Sequence, residues 1–177
     1  MDNDTPFTKD GAVPELGEDQ GEHALHGLSD CRDAALALMQ AARRGVRIFS
    51  HDLDAEVLGT DAFVDAASAM ARRNAYTFIR ILLQDPQPAL RRAHPLIQLV
   101  QALPSHIEVR RTAEEWAGES FAFVVADHHG LLYRPIAERY EGSVDFAAGA
   151  TAVQYRTWFD EVWEHSTPEA EFRPLGI

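Results

Sequence analysis

The chain has 177 residues, of which 46% are hydrophobic and 25% are charged, and its formal net charge is −12. A chain of this length has room for one domain with a buried core, and its composition is typical of soluble globular proteins. The negative charge argues against nonspecific binding to nucleic acid, because the two partners would repel each other.

The cysteine content and the apolar runs indicate where the protein resides. Cys31 is the only cysteine, which excludes an intramolecular disulfide and a multi-cysteine metal site. The N-terminus has no apolar stretch of the secretory type, and no apolar run reaches the roughly 18 residues that a membrane-spanning helix needs. We therefore expect a cytoplasmic protein that does not enter the membrane.

Residues 1–26 differ in composition from the rest of the chain. They contain seven acidic residues and one lysine, and they show almost no periodic apolar pattern. Such a segment buries too little apolar surface to offset the entropy of an ordered chain. We predict a disordered acidic tail over residues 1–26 and a single domain over residues 27–177.

The predicted domain begins with a helix. Ser29 or Asp30 can cap its first turn, and the pair Arg43–Arg44 falls in the expected last turn, where positive charge complements the helix dipole. The following segment, residues 46–50, is short and rich in β-branched and aromatic residues, which predicts a strand.

A second helix is predicted from the capping residue Thr60 to Arg73, with one regular apolar face. Residues 77–83 follow it and are apolar throughout except at Arg80. Near-continuous apolarity over this length is typical of a central strand that is covered on both faces, as in a parallel sheet.

The remaining elements are one further helix and strand, a hairpin and a final helix. Pro95 suits the first turn of the helix and Pro104 ends it. His128 and His129 are interpreted as loop residues of the hairpin. The predicted strands and the last helix cover residues 106–111, 120–127, 131–135 and 149–165.

The order of these elements predicts an α/β fold. Early strands separated by crossover helices favour parallel pairing, whereas a hairpin near the C-terminus pairs antiparallel. We expect a mixed sheet, parallel in its first half and antiparallel in its C-terminal hairpin, with helices on both faces.

The stretch "SFAFVVAD", residues 120–127, has the frame of the motif His-x-Lys-x4-Asp. Asp127 stands in the last position, whereas Ser120 and Ala122 replace the histidine and the lysine. Together with "FVDAASAMARRNAYTFIRILLQD" at residues 63–85 and the order of elements, this frame resembles one half of the phospholipase D-like fold. The domain also resembles uncharacterised bacterial domains, some of which lie behind an acetyltransferase domain.

The departures from this family determine what the resemblance implies. In its enzymes the histidine attacks phosphorus and the lysine stabilises phosphate charge, functions that Ser120 and Ala122 cannot perform unaided. Arg134 and Pro135 occupy the place of the family's Gly-Ser segment, and the similar string at residues 142–145 is interpreted as a loop or turn. The resemblance therefore implies a scaffold that has lost this chemistry, and it predicts no cofactor.

The loss of these groups favours a non-catalytic binding or regulatory module. Its expected partner is a protein, either an acetyltransferase on another chain or a second copy of this chain. The arginine pairs of the sequence do not change this expectation, because two of them close helices, where the dipole explains them, and no aromatic-rich basic strand accompanies them. We therefore expect no nucleic-acid partner.

The alternative function is an enzyme, hydrolytic or metal-assisted, with a site relocated to the strand ends. His51, Asp52 and Asp54 follow the first strand of the domain at its carboxyl end, and Asp85 follows the next one. Open α/β sheets bind ligands at this edge. A polar turn with a capping aspartate is the favoured interpretation of the first three, and no metal site is predicted from so few ligands.

Arg80 and Ser120 complete the set of candidate ligand-binding residues. A guanidinium in an otherwise apolar strand is costly unless it is paired, so Arg80 either pairs with Glu108 or Asp85 or faces an anionic ligand. The full candidate set is His51, Asp54, Arg80, Asp85 and Ser120.

Overall fold

The structure is a computed structural model that describes residues 6–8, 11–18 and 21–174. Its strands, in chain order, are β1 (Glu22–His26), β2 (Gly45–Ser50), β3 (Phe78–Leu83), β4 (Ile107–Arg111), β5 (Ala122–Ala126), β6 (Gly130–Arg134), β7 (Glu141–Asp145) and β8 (Thr167–Pro168). Its α-helices are α1 (Leu28–Ala41), α2 (Ala55–Leu58), α3 (Asp61–Ala71), α4 (Gln87–Arg91), α5 (Pro95–Ala102) and α6 (Ala150–His165).

All eight strands belong to one mixed sheet, in the order β1-β7-β6-β5-β2-β3-β4-β8. The neighbours β2, β3 and β4 are parallel, whereas β5, β6, β7 and β1 pair antiparallel in succession. The predicted architecture is thereby confirmed, including the hairpin of β5 and β6. The parallel half arises because the helices after β2 and after β3 return the chain to the end of the sheet where the next parallel strand begins.

Helices cover both faces of this sheet, and two apolar clusters result. The larger cluster lies between one face and the helices α1, α2, α3 and α5, and it includes Ile48, Ile81 and Val124. The smaller cluster lies under α6 and is largely aromatic, with Phe49, Phe123, Phe159 and Trp163 among its members. Alternate residues of β2 and β5 therefore serve different clusters, as the two-residue period of a strand requires.

Two of the predicted helix starts have different outcomes. The hydroxyl of Thr60 accepts a hydrogen bond from the Phe63 backbone N–H at 3.2 Å, so this cap is confirmed. Helix α1 begins at Leu28, and the Asp30 carboxylate accepts from the backbone N–H of His26 instead of capping. The helix ends at Ala41, so the arginine pair at positions 43 and 44 follows it.

The end of the predicted tail is ordered, which corrects that prediction for residues 22–26. These residues form β1, and they pair antiparallel with β7. Phe7 is also buried, and its ring lies 5.9 Å from that of His23 and 6.4 Å from that of Phe146. The sheet supplies backbone partners and apolar contacts that the local sequence does not reveal. Residues 1–5, 9–10 and 19–20 of the predicted tail lie outside the described residues.

The string Gly142–Asp145, predicted as a loop or turn, is also corrected, because it belongs to β7. This strand lies between β6 and β1, and Val144 is its one fully buried side chain. Strand pairing on both sides satisfies its backbone, which explains how such a polar and glycine-containing segment forms a strand. In the part of the chain that the structure describes, no helix is long and apolar enough to cross a membrane.

We predict that Gly142→Ala destabilises the fold. A methyl group at this position would overlap the backbone carbonyl of Tyr133 on β6, which cannot move without opening the sheet. Overpacking of this kind costs about 1–3 kcal/mol in the free energy of unfolding. Gly118→Ala is the control, because its methyl group would meet no atom within 4 Å. Urea unfolding of both variants tests this, and equal stabilities would contradict it.

Candidate ligand-binding site at the strand ends

The carboxyl ends of the parallel strands meet the start of β5 and the end of β6 at one edge of the sheet. Ser50 ends β2, and the register places Ala122 directly opposite Arg134. A cleft of about 210 Å³ opens here, below the usual range of roughly 300–1,000 Å³ for small-molecule sites. Its walls are Ser50, His51, Asp52, Asp54, Ala122, Arg134, Ala137, Glu138 and Tyr140.

An ion pair between Arg134 and Asp54 fills much of this edge. The Nη1 atom of Arg134 donates to the Asp54 carboxylate at 2.5 Å. The two side chains are only 5% and 14% exposed, so the pair is shielded from water on most sides. The positive charge that this cleft contains is therefore neutralised within the protein.

The other donors of Arg134 are also occupied. Its Nε donates to the carbonyl of Arg139 at 3.0 Å, and its Nη2 donates to the carbonyl of Ala137. The guanidinium carbon lies 5.0 Å from the centre of the Tyr140 ring, within the range of a cation–π contact. Arg134 thus binds the loop between β6 and β7 rather than presenting its charge to a ligand.

The small side chain of Ala122 makes this arrangement feasible. Cross-strand neighbours point to the same side of a sheet, so Ala122 and Arg134 project into the same space. Ala122 is the residue that stands at the lysine position of the motif frame. A long side chain there would compete with the guanidinium for that space.

The loop after β2 holds Asp54 in an uncommon conformation. Leu53 and Asp54 both have positive φ, at 71° and 31°, in the left-handed region that non-glycine residues rarely adopt. The Ser50 hydroxyl accepts from the Leu53 N–H and the Asp52 carboxylate from the Asp54 N–H, each at 3.0 Å. These two hydrogen bonds and the ion pair offset the strain of the loop.

The remaining predicted site residues near this edge have local partners. His51 is exposed, and its Nδ1 lies 3.2 Å from the Gln84 side-chain oxygen. Asp85 accepts a hydrogen bond from the Gln87 backbone N–H at 3.0 Å, at the start of α4. Ser120 is exposed, and its hydroxyl lies 3.4 Å from the Pro135 carbonyl. The structure brings His51, Asp52 and Asp54 into one cleft, whereas Asp85 and Ser120 are not among its walls.

Arg80 belongs to a different part of the molecule. It lies on the face of the sheet that α6 covers, with its guanidinium carbon 4.9 Å from the Phe78 ring centre and 5.5 Å from that of Trp163. Among the described residues it forms no ion pair, because Glu108 pairs with Arg110 at 2.9 Å. The predicted pairing of Arg80 with an acid is thus replaced by contacts with aromatic rings.

Asp127, the one motif residue present, has a structural environment. Its carboxylate accepts hydrogen bonds from the backbone N–H groups of Arg43, Arg44 and Gly45, the closest at 2.8 Å. It follows β5 with a positive φ of 52° and therefore starts the hairpin turn. The aspartate ties this turn to the turn between α1 and β2, at the end of the sheet away from the cleft.

Two further features bear on chemistry at this edge. Within residues 6–8, 11–18 and 21–174, no group of three or more His, Cys, Asp or Glu side chains is arranged to hold a metal ion. Burial raises the pKa of the Cys31 thiol to about 11, so the thiol stays protonated near neutral pH and is a poor nucleophile.

Solved structures share this fold at low sequence identity. Nuc from Salmonella typhimurium, a phospholipase D family member, matches with 12% identity and a TM-score of 0.63, over 84% of this chain and 97% of that chain. NucT from Helicobacter pylori matches with 11% identity and a TM-score of 0.60, over 84% and 99% of the two chains.

An archaeal chromatin protein, TrmBL2, whose structure is described as showing a novel mode of DNA binding, matches with 14% identity and a TM-score of 0.61. This match covers 86% of the present chain, which spans 55% of the length of that protein. No curated protein sequence matches the chain.

These likenesses define the class: the chain has a phospholipase D-like α/β fold. Within that class it belongs to the family described as a domain of unknown function, DUF7931, which matches residues 27–175.

Sequence reasoning missed the part that Arg134 plays at this edge. In the sequence, its position stands out only as a departure from the Gly-Ser segment of the family. The predicted hairpin contained a usable signal, because a short turn centred on residue 128 sets Arg134 opposite Ala122. What no local pattern reveals is the partner, since Asp54 lies 80 residues earlier in the chain.

We predict that Asp54→Asn is strongly destabilising. Asparagine tolerates the left-handed backbone but removes the charge that balances the buried Arg134, at a cost of about 3 kcal/mol in the free energy of unfolding. The matched control is Glu56→Gln, which removes an acid from the exposed Arg32–Glu56 pair, where at most about 1 kcal/mol is expected. Equal losses in urea unfolding of the two variants would show that Arg134 does not depend on Asp54.

His94 caps the start of α5. Its Nδ1 accepts a hydrogen bond from the Leu96 backbone N–H at 3.2 Å. Burial lowers its pKa from the ordinary 6.5, although the Leu53 backbone and the carboxylates of Asp52 and Asp54 oppose this shift. The unfolded chain therefore binds this proton more readily than the folded chain. It follows that the stability contributed by neutral His94 is present above the unfolded pKa and is lost as the pH falls below it.

We predict that wild-type protein loses stability on acidification below about pH 6.5 partly through this residue. His94→Asn keeps a capping side chain and removes the titration, so its unfolding free energy should depend less on pH between about 6.5 and 5. Denaturant unfolding at several pH values checks this, with the exposed His26→Asn as a control. Identical pH slopes in His94→Asn and wild type would refute the assignment.

Proposed function

We propose that this domain is a non-catalytic binding or regulatory module built on a phospholipase D-like scaffold. The observation that carries the proposal is that the positive charge beside positions 120 and 122 is already paired within the protein. The only strongly buried cation there among the described residues is Arg134, and its donors are directed at Asp54 and at backbone carbonyls. A phosphate entering this cleft would have to displace a buried carboxylate.

The chemistry of phosphoryl transfer supports the same proposal. Covalent transfer needs a nucleophile that can carry the phosphoryl group and a positive charge aimed at the phosphate oxygens. Ser120 has a hydroxyl of high intrinsic pKa, and the partner that its oxygen contacts is a backbone carbonyl rather than a base. Ala122 contributes no charge. Positions 120 and 122 therefore lack the groups that this mechanism requires.

A protein partner is the proposed target of the module, either an acetyltransferase on another chain or a second copy of this chain. The resemblance to domains that follow an acetyltransferase domain motivates the first. The archaeal chromatin protein that shares this fold is described as binding DNA, which is a precedent for a binding role on the scaffold.

We expect the purified chain not to hydrolyse bis-p-nitrophenyl phosphate above the rate of buffer alone, with or without added divalent ions. Release of p-nitrophenol, followed by absorbance, measures this. Wild type and Ser120→Ala should be indistinguishable, because the serine hydroxyl has no activating base. Turnover that disappears in Ser120→Ala, with the variant still folded, would overturn the non-catalytic assignment.

A further inference from the structure

A second cleft lies at the opposite edge of the sheet, where β2 and β3 begin. Its volume is about 470 Å³, within the range of roughly 300–1,000 Å³ that small-molecule sites occupy. Gly45 lies in this cleft and Ser50 lies in the cleft beside Arg134, so about 16 Å of strand separates them. The two clefts are thus distinct, and a ligand of the second cleft is independent of the proposed function.

The ring of Phe78 lies in this cleft against the backbone of Gly45, which has no side chain. The ring occupies the place that a side chain at Gly45 would take, since a methyl group there would overlap the ring. The guanidinium carbons of Arg47 and Arg80 lie 5.1 Å and 4.9 Å from the ring centre. An aromatic surface flanked by positive charge is therefore built into the sheet itself.

Two exposed arginines form the rim of the cleft. Arg43 and Arg44 occupy the turn whose backbone N–H groups bind the Asp127 carboxylate, so the turn is fixed while both side chains remain exposed. Neither forms an ion pair with a described residue, whereas Arg47 is held by both oxygens of Asp160 at 2.8 Å and 3.2 Å. Their side-chain charges are thus open to a ligand, and the Asp127 carboxylate that also lines the cleft is bound to the backbone N–H groups of the turn.

Tyr76 completes the cleft. Its side chain is 90% exposed, the most exposed of the large hydrophobic residues that the structure describes. The Asn74 side chain accepts a hydrogen bond from the Tyr76 backbone N–H at 2.9 Å, which fixes the turn that presents the ring. The ring face is available for stacking, next to cations that attract a negative charge.

We propose that this cleft binds a free nucleotide, with its phosphate at Arg43 and Arg44 and its base stacked on Tyr76. The fork of a guanidinium matches phosphate oxygens, and every nucleobase has a face that stacks on an aromatic ring. A long nucleic acid would meet the repulsion of the whole acidic chain, whereas a single nucleotide meets mainly the local arginines. The ligand is therefore a small molecule.

Calorimetric titration of the full chain with AMP, UMP and inorganic phosphate tests this proposal. We expect AMP or UMP to bind at least about tenfold more tightly than phosphate, because stacking adds to the ionic contact. The double variant Arg43→Ala/Arg44→Ala should bind the nucleotide at least about tenfold more weakly. Tyr76→Ala should also lose about tenfold, whereas Tyr76→Phe should retain the wild-type affinity.

The matched control is Arg91→Ala/Arg92→Ala, which removes a second exposed arginine pair near α4, outside the cleft, and should leave nucleotide binding unchanged. An equal loss of nucleotide affinity in this control would show that only the net charge of the protein matters, and it would overturn the proposed site. Absence of nucleotide binding at about 1 mM would also overturn the proposal. Binding of a short oligothymidylate without binding of either mononucleotide would replace it by a nucleic-acid surface.

Discussion

A buried guanidinium is tolerated only where charge and hydrogen bonds surround it, and this constraint shapes one whole edge of the domain. Arg134 obtains its counter-charge from Asp54, in the loop after β2, and its other acceptors from the loop after β6. The ion pair therefore sets the position of both loops. The buried cation of the carboxyl edge is thereby neutralised, and Asp52 and Glu138 add negative charge there, whereas the opposite edge keeps the exposed cations of Arg43 and Arg44.

Sequence reasoning predicts the fold where local patterns and long-range partners agree. The apolar strands β2 and β3 are recognisable because both of their faces are buried, and the cap at Thr60 locates α3 correctly. Strands β1 and β7 escape recognition because each has one fully buried side chain, Leu25 and Val144 respectively. Their strand character comes from pairing with each other over more than a hundred residues, which no local pattern encodes.

The sequence predicts which edge of the sheet and which loop hold the candidate site. It does not predict which side chains contact each other there. His51, Asp52 and Asp54 do share a cleft, because the end of a strand fixes where its loop begins. The environment of Arg80 is not foreseeable in the same way. The acid beside it in the sheet, Glu108, bonds to Arg110, and the ring of Trp163 arrives from the distant helix α6.

The hydrogen bonds of Asp127 bear on how catalytic activity is inferred for chains with this fold. Its carboxylate accepts hydrogen bonds from three successive backbone N–H groups and so holds two turns together. This structural role does not depend on any reaction at the opposite edge of the sheet. The presence of this aspartate in a motif frame is therefore evidence for the fold and not for catalytic activity. Assigning activity to a chain of this shape requires the reactive side chains themselves, together with vacant space for a substrate beside them.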